Sequence, residues 1–112
     1  MQRYGMIIGL NQDKIEEYKK LHAAAWPDVL KMISACNIQN YSIYLQKLDD
    51  DQYYLFSYFE YVGNDFDADM QKMAADPITK DWWSHCKPCQ KPLTGNAEGE
   101  WWTNMEEVFH CD

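Results

Sequence analysis

The chain is poor in basic residues, and this scarcity restricts what it can bind. It carries 10 Lys and Arg against 18 Asp and Glu, a net charge of -8, and no basic cluster occurs along it. A protein that neutralises phosphates needs basic side chains gathered on one face, so the composition argues against a nucleic-acid partner. An acidic protein instead favours neutral small molecules over anionic ones.

Long apolar runs are also missing. No stretch approaches the length of a membrane span, and the opening MQRYGMIIGLNQ is too short and polar for a signal peptide. The expected location is therefore the cytoplasm, where the thiols of the four cysteines stay reduced. A length of 112 residues predicts one domain, 1–112, which folds without disulfides or a metal.

Aromatic residues, in contrast, are abundant, with five Trp and eight Tyr. Their rings can simply fill the core, which is their usual role. A ring with an apolar face and a polar tip also suits a carbohydrate or planar ligand.

The hydrophobic pattern predicts the order β, α(α), β, β, α(α), β. Asn11 or Asp13 should cap the first helix, Pro27 should break it after Trp26, and Asp76 should cap the last helix. The predicted strands cover 3–10, 38–48, 53–62 and 101–110, the predicted helices cover 11–25, 27–36, 64–75 and 76–86, and a loop covers 87–100.

This order is typical of an α+β fold with a ferredoxin-like four-stranded antiparallel sheet and helices on one face. The second face of such an aromatic-rich sheet would be a large exposed apolar patch. We therefore expect a dimeric α/β-barrel-type homodimer in which two sheets face each other. The cavity between them is the expected ligand site.

Tyr18 and His22 stand four residues apart on a predicted helix, so they are neighbours on one face. Both can be boundary residues with satisfied polar tips, which is the commoner role. Histidine is also the side chain best suited to move protons near neutral pH.

Cysteine and histidine offer weaker candidates. Cys86 and Cys89 form a CxxC pair, but Cys86 lies at a predicted helix C-terminus, where the dipole does not favour a thiolate. A zinc site would need a second pair, which only His110 and Cys111 supply, and His22, His85 and His110 have no metal-site spacing. We therefore interpret the cysteines as free thiols and predict no metal.

Two aromatic motifs complete the candidates. Consecutive helical residues point about 100° apart, so Trp82 and Trp83 cannot both face the core squarely. One should be core, on the stripe of Ile78, and the other is a stacking wall or an interface residue. In NYSIY, Tyr41 and Ile43 should share one sheet face, with Tyr44 on the other.

These motifs together resemble the L-rhamnose mutarotase family. EEYKKLHAAAWPDV, NYSIYL, the WW of the fourth helix and MEEVFH occur in the family's order, over nearly the whole chain. The resemblance implies a ferredoxin-like homodimer that interconverts the α and β anomers of a 6-deoxy sugar without cofactor or metal. It implies an isomerase in which His22 is the proton donor and Tyr18, Tyr41, Trp82 and Trp83 contact the sugar.

The sequence also departs from that pattern. AAAWP follows His22 where the rhamnose enzymes commonly have an Asn-Pro pair, and the stretch 58–83 with the loop PCQKPL resembles a branch linked to L-fucose. L-rhamnose and L-fucose therefore both remain candidate substrates. A small ferredoxin-like dimeric monooxygenase or a ligand-binding module is the alternative function, since aromatic cavities occur in all of these.

Overall fold

The computed structural model of the protein describes residues 1–97 and 99–112. Five strands and four helices form an α+β fold. The strands are β1 (Gln2–Leu10), β2 (Ile38–Lys47), β3 (Tyr53–Tyr61), β4 (Gln90–Lys91) and β5 (Thr103–Met105). The helices are α1 (Ile15–Ala23), α2 (Pro27–Ala35), α3 (Phe66–Ala75) and α4 (Pro77–Cys86).

The sheet is antiparallel, with strand order β2-β3-β1-β4, and β5 also pairs with β1. β4 pairs at Gly9 and Leu10 while β5 pairs at Gly5 to Ile7, so two short strands share the outer edge of β1. The prediction of one long strand over 101–110 is therefore wrong. β4 lies inside the predicted loop 87–100, between a 3-10 turn over Lys87–Cys89 and Pro92, which cannot donate a backbone hydrogen bond to a strand. Glu98 of that predicted loop lies outside the described residues.

The helix boundaries follow their proline and cap signals. Pro27 and Pro77 are the first residues of α2 and α4, and Asp76 caps α4 by accepting a hydrogen bond from the Thr79 N–H at 2.9 Å. The predicted caps of the first helix are wrong. A 3-10 turn over Gln12–Lys14 precedes α1, and neither Asn11 nor Asp13 caps α1 with its side chain.

All four helices cover one face of the sheet, which we call the helix face. Its side chains form two buried clusters, one around Ile8 and Leu55 and one around Phe59 and Met73. Ile33 and Trp83 pack against both clusters, so the core is continuous. Ser42, Tyr44, Tyr54, Phe56 and Tyr58 line the opposite face, which no helix covers, and Tyr44 is 66% exposed.

A β-bulge interrupts the pairing of β2 with β3. The register shifts between Gln39, opposite Glu60, and Ser42, opposite Tyr58, so Asn40 and Tyr41 together face one residue of β3. Asn40 has a positive φ of 50°, a conformation that Asn tolerates, and its Nδ2 donates to Glu60 Oε1 at 2.7 Å. The bulge leaves Ile38, Tyr41 and Ile43 on the helix face.

In the part of the chain that the structure describes, no helix combines the length and the apolar character needed to cross a membrane.

Candidate active site

α1 presents Tyr18 and His22 one turn apart, as the sequence predicts. Their rings stack with centroids 4.1 Å apart at an interplanar angle of 27°. Nδ1 of His22 lies 2.9 Å from the carbonyl oxygen of Tyr18. Because a carbonyl only accepts, Nδ1 carries the hydrogen, and in the neutral ring Nε2 is left as the basic nitrogen.

The surroundings of His22 keep that ring neutral. Its partial burial lowers the pKa of His22, and the hydrogen bond to the Tyr18 carbonyl opposes this effect only in part. Nε2 has no hydrogen-bond partner among the described residues, yet no unpaired polar side-chain atom there is fully buried. His22 therefore offers an accessible base at neutral pH.

Trp82 supports the histidine from behind. Its ring meets the rings of His22 and Trp26 edge-on, each with centroids 5.2 Å apart, and it is buried in the core. Trp83 is half-buried, and Lys87 Nζ lies 5.7 Å from its ring centre. The structure thus brings Trp82 and not Trp83 to His22. The expected partner of the core tryptophan, Ile78, is exposed, so that detail of the prediction is wrong.

Tyr41 reaches the helix face from the bulge, where its ring packs against Phe59 at 5.5 Å. The residue is 42% exposed over its whole surface, and desolvation raises the pKa of Tyr41 to about 12. Burial raises the pKa of Tyr18 even further. Both phenols therefore remain protonated near neutral pH and can donate hydrogen bonds.

A cavity of about 280 Å³ lies between α1 and the helix face of the sheet. It is close to the lower end of the usual volume of ligand pockets, which suits one small ligand. Tyr18 and His22 line it, while the other walls are mainly aliphatic: Leu10, Lys19, Ala23, Ile43, Leu45 and Leu55. The candidate site lies inside one protomer, whereas the sequence placed it between two facing sheets.

The sequence also gave no indication of a polar chain behind Tyr18. Gln90 Nε2 donates to the Tyr18 hydroxyl at 3.2 Å, and Trp101 Nε1 donates to Gln90 Oε1 at 2.7 Å. Gln90 is buried, which is uncommon for its type. Nothing in the local sequence pattern marks a residue between Cys89 and Lys91 as a partner of α1.

The cysteines and the remaining histidines do not line the cavity. Cys36, Cys86, Cys89 and Cys111 are free, and burial raises the pKa of the Cys86 and Cys89 thiols to about 12 and about 11. His85 lies 3.6 Å from Asp81 and His110 lies 2.7 Å from Asp112. Within residues 1–97 and 99–112, no three His, Cys, Asp or Glu side chains gather as metal ligands.

Comparison with known proteins gives the family. The family model of L-rhamnose mutarotase matches residues 3–111. The L-rhamnose mutarotases of Lactiplantibacillus plantarum and Oceanobacillus iheyensis are 33% and 34% identical over 112 residues, with 100% of both chains covered in each comparison. The crystal structure of an L-rhamnose mutarotase from Formosa agariphila shares the fold, with a TM-score of 0.73 at 21% identity over 100% of both chains. The chain belongs to the L-rhamnose mutarotase family.

Proposed function

We propose that the protein is an isomerase that interconverts the α and β anomers of L-rhamnose. The observation that carries this proposal is the pair formed by His22 and Tyr18 on the wall of the 280 Å³ cavity. The relatives named above carry the L-rhamnose mutarotase name, which favours L-rhamnose over L-fucose. A net charge of -8 and aliphatic walls also suit a neutral deoxy sugar.

Mutarotation needs proton transfer at two oxygens of the same carbon. Nε2 of neutral His22 removes the proton from the anomeric hydroxyl, and the imidazolium then delivers it to the ring oxygen as the C1–O5 bond breaks. The open aldehyde turns about C1–C2, and the same steps in reverse close the ring on the other face. The proton returns to its starting place, so the reaction is balanced with no other reactant.

Each further residue has a proposed role in holding the sugar. Tyr18 and Tyr41 stay protonated, so they donate hydrogen bonds to sugar oxygens without forming phenolates. Trp82 holds His22 edge-on, and an apolar ring face at Trp82 or Trp83 suits the C–H face of a pyranose. A positioned acid or base typically contributes about 10²–10⁴-fold to a rate. Since the uncatalysed reaction already proceeds in water, we propose that no metal or cofactor is required.

The decisive experiment is saturation-transfer NMR of anomer exchange with L-rhamnose, L-fucose, D-glucose and D-galactose. We expect acceleration with L-rhamnose above the enzyme-free rate, and an unchanged rate in chelator. A faster exchange of L-fucose would change the assigned substrate. Loss of activity in chelator with recovery on adding zinc would contradict the metal-free mechanism. Acceleration of no sugar would favour the monooxygenase or binding-module alternative.

We also propose that the protein is a single domain that works as a homodimer in the cytoplasm. Ile33 and Trp83 join the two buried clusters into one continuous core, which supports a single domain. The strand order β2-β3-β1-β4 supports the ferredoxin-like description, and its uncovered aromatic face supports the dimer. Light scattering should give about twice the 13.3 kDa chain mass at micromolar concentration, and a monomer there would refute the dimer.

A further inference from the structure

Two hydrogen bonds join Tyr18 of the cavity to Trp101, which lies far away in sequence. Trp101 Nε1 donates to Gln90 Oε1 at 2.7 Å, and Gln90 Nε2 donates to the Tyr18 hydroxyl at 3.2 Å. An indole N–H can only donate, so it requires the oxygen of the Gln90 amide to face Trp101. The NH2 group of Gln90 must then face Tyr18. The direction of both hydrogen bonds is therefore fixed by the indole.

This direction determines what the Tyr18 hydroxyl can do. A phenol has one hydrogen to donate, and its oxygen can accept. Because the oxygen of Tyr18 accepts from Gln90, its own hydrogen must point elsewhere. Among the residues that the structure describes, none accepts that hydrogen. Since Tyr18 lines the cavity, the hydrogen remains available for a ligand oxygen there.

Trp101, the outer member of this hydrogen-bonded series, is held in place by contacts of its own. Lys87 Nζ lies 5.7 Å from the ring centre of Trp101, a cation–π distance. Asn96 Nδ2 donates to the Trp101 carbonyl oxygen at 3.2 Å. Gln90, the middle member of the series, is fixed by its position in β4, where it pairs with Leu10 of β1. Gly9 permits this pairing, because a Cβ there would stand 2.6 Å from the Lys91 carbonyl oxygen.

We propose that Gln90 and Trp101 are positioning residues that aim the Tyr18 hydroxyl hydrogen at a sugar oxygen in the cavity. They touch no substrate themselves. This inference rests on the proposed mutarotase activity. It gives the segment after α4, which contains Gln90 and Trp101, a role in orienting Tyr18 of α1.

The test is a double-mutant cycle through the Tyr18 hydroxyl, measured as kcat/KM for anomer exchange of L-rhamnose. Gln90→Met keeps the side-chain length and removes both hydrogen bonds, and Trp101→Phe removes the indole donor while keeping a smaller aromatic ring beside Lys87. We expect Gln90→Met to lose about tenfold and Trp101→Phe about threefold in the parent protein. In a Tyr18→Phe background, each should lose less than about twofold further.

Gln90→Glu tests the direction of the hydrogen bond. A carboxylate can only accept, so it should draw the Tyr18 hydrogen away from the cavity and lose more activity than Gln90→Met. Trp102→Phe is the matched control. Trp102 is the adjacent tryptophan, packs against the first core cluster and makes no side-chain hydrogen bond to Gln90. Its effect on kcat/KM should be the same with and without the Tyr18 hydroxyl.

A measurement without sugar separates this role from the activity. In the parent protein, the Trp101 indole N–H should exchange slowly with solvent by NMR, and Gln90→Met should accelerate that exchange. If the parent protein accelerates no anomer exchange, the proposed function fails and the catalytic role fails with it. If the parent is active but Gln90→Met and Trp101→Phe lose equal activity in both Tyr18 backgrounds, the positioning role alone is overturned. Fast indole exchange in the parent would also overturn it.

Discussion

Two buried tyrosines of this protein, Tyr61 and Tyr18, differ in how their hydroxyls are hydrogen-bonded. Tyr61 is 2% exposed; it donates to Asp69 Oδ2 and accepts from the Asp65 N–H at 3.0 Å. Asn37 Nδ2 also donates to Asp69 Oδ2 at 3.0 Å, and these hydrogen bonds, with that of Tyr61 first, lower the pKa of the Asp69 carboxyl. Gly63 lies directly against the Tyr61 hydroxyl, and a Cβ at this position would collide with it.

Tyr18 is almost as buried, at 5% exposed, but its hydroxyl accepts a hydrogen bond from Gln90, and no described residue accepts its own hydrogen. Burial and residue type therefore do not distinguish Tyr18, which we propose to contact the sugar, from Tyr61. The separation comes from whether the hydroxyl has both its donor and acceptor capacity satisfied.

The largest effect should come from the group that moves the proton. We expect His22→Ala to lose about 10²–10⁴-fold of the acceleration over the uncatalysed rate, because we propose Nε2 as the base. The protein should still fold, since His22 is half-buried beside the cavity. His85→Ala is the matched control, because the exposed His85 lies outside the cavity, and its exchange rate should be unchanged. A much lower melting temperature with normal exchange in His22→Ala would make His22 structural.

Tyr18→Phe should have the next largest effect on rate. The change keeps the ring that stacks on His22 and removes the hydroxyl that we propose as a hydrogen-bond donor to the sugar. We expect kcat/KM to fall about tenfold, with weaker sugar binding and a melting temperature within about 2 °C of the parent. The measurement is anomer exchange and thermal melting on the same samples. An unchanged rate would remove Tyr18 from the site.

Tyr61→Phe should behave in the reverse way. It removes the Tyr61 donor from the Asp69 carboxylate, which keeps its hydrogen bond from Asn37, and it leaves the Asp65 N–H without the Tyr61 oxygen, so the melting temperature should fall by about 5 °C or more. Anomer exchange measured well below the melting temperature should be unchanged, because Tyr61 lies in the second core cluster and not on the cavity wall. If Tyr61→Phe loses activity without losing stability, the distinction between the two tyrosines is wrong.

The smallest effect concerns pH. Because desolvation lowers the pKa of His22 below its usual 6.5, the base should already be available at pH 6.5. The enzyme-dependent rate should rise with pH below 6.5 and stay level up to about pH 9, since the pKa of Tyr41 is about 12. After subtraction of the uncatalysed rate, a midpoint above pH 7 would contradict this assignment.

The same shift affects stability in a defined direction. With a lower pKa in the folded state, folded His22 binds fewer protons than unfolded His22 in the window just below pH 6.5. Its contribution to the free energy of unfolding is therefore complete above pH 6.5 and decreases as the pH falls through that window. Denaturant titrations of the parent and His22→Gln over pH 5–7 should show this difference, and equal pH dependence would exclude it.

Local signals in the sequence predicted most of the helices and the central hairpin. Pro27, Pro77 and Asp76 act within a single turn, and the alternation in β3 depends only on neighbouring residues. The edge of β1 was predicted poorly, because a strand of two residues has no periodicity to detect.

The helix pattern alone predicted only the part of the candidate site whose residues are close in sequence. Tyr18 and His22 are four residues apart, so the helix itself brings their rings together. The Gln90 and Trp101 partners depend on how β4 docks beside β1, which no local pattern encodes. The cavity was expected between two sheets because the uncovered face had suggested a ligand site there. The structure places Tyr18 and His22 on the helix face instead.

The bulge at Asn40 determines which alternate side chains of β2 face the cavity. Before Asn40 the even-numbered Ile38 faces the helices, and after it the odd-numbered Tyr41, Ile43 and Leu45 do. The extra residue at Asn40 therefore switches the inward-facing positions of β2 from even-numbered to odd-numbered residues. If the extra residue moved to the turn at 48–52, the central segment of β2 would shift by one place, and Ser42, Tyr44 and Gln46 would face α1 instead. One asparagine in a left-handed conformation therefore selects between two alternative linings for the same cavity, one mainly aliphatic and one mainly polar.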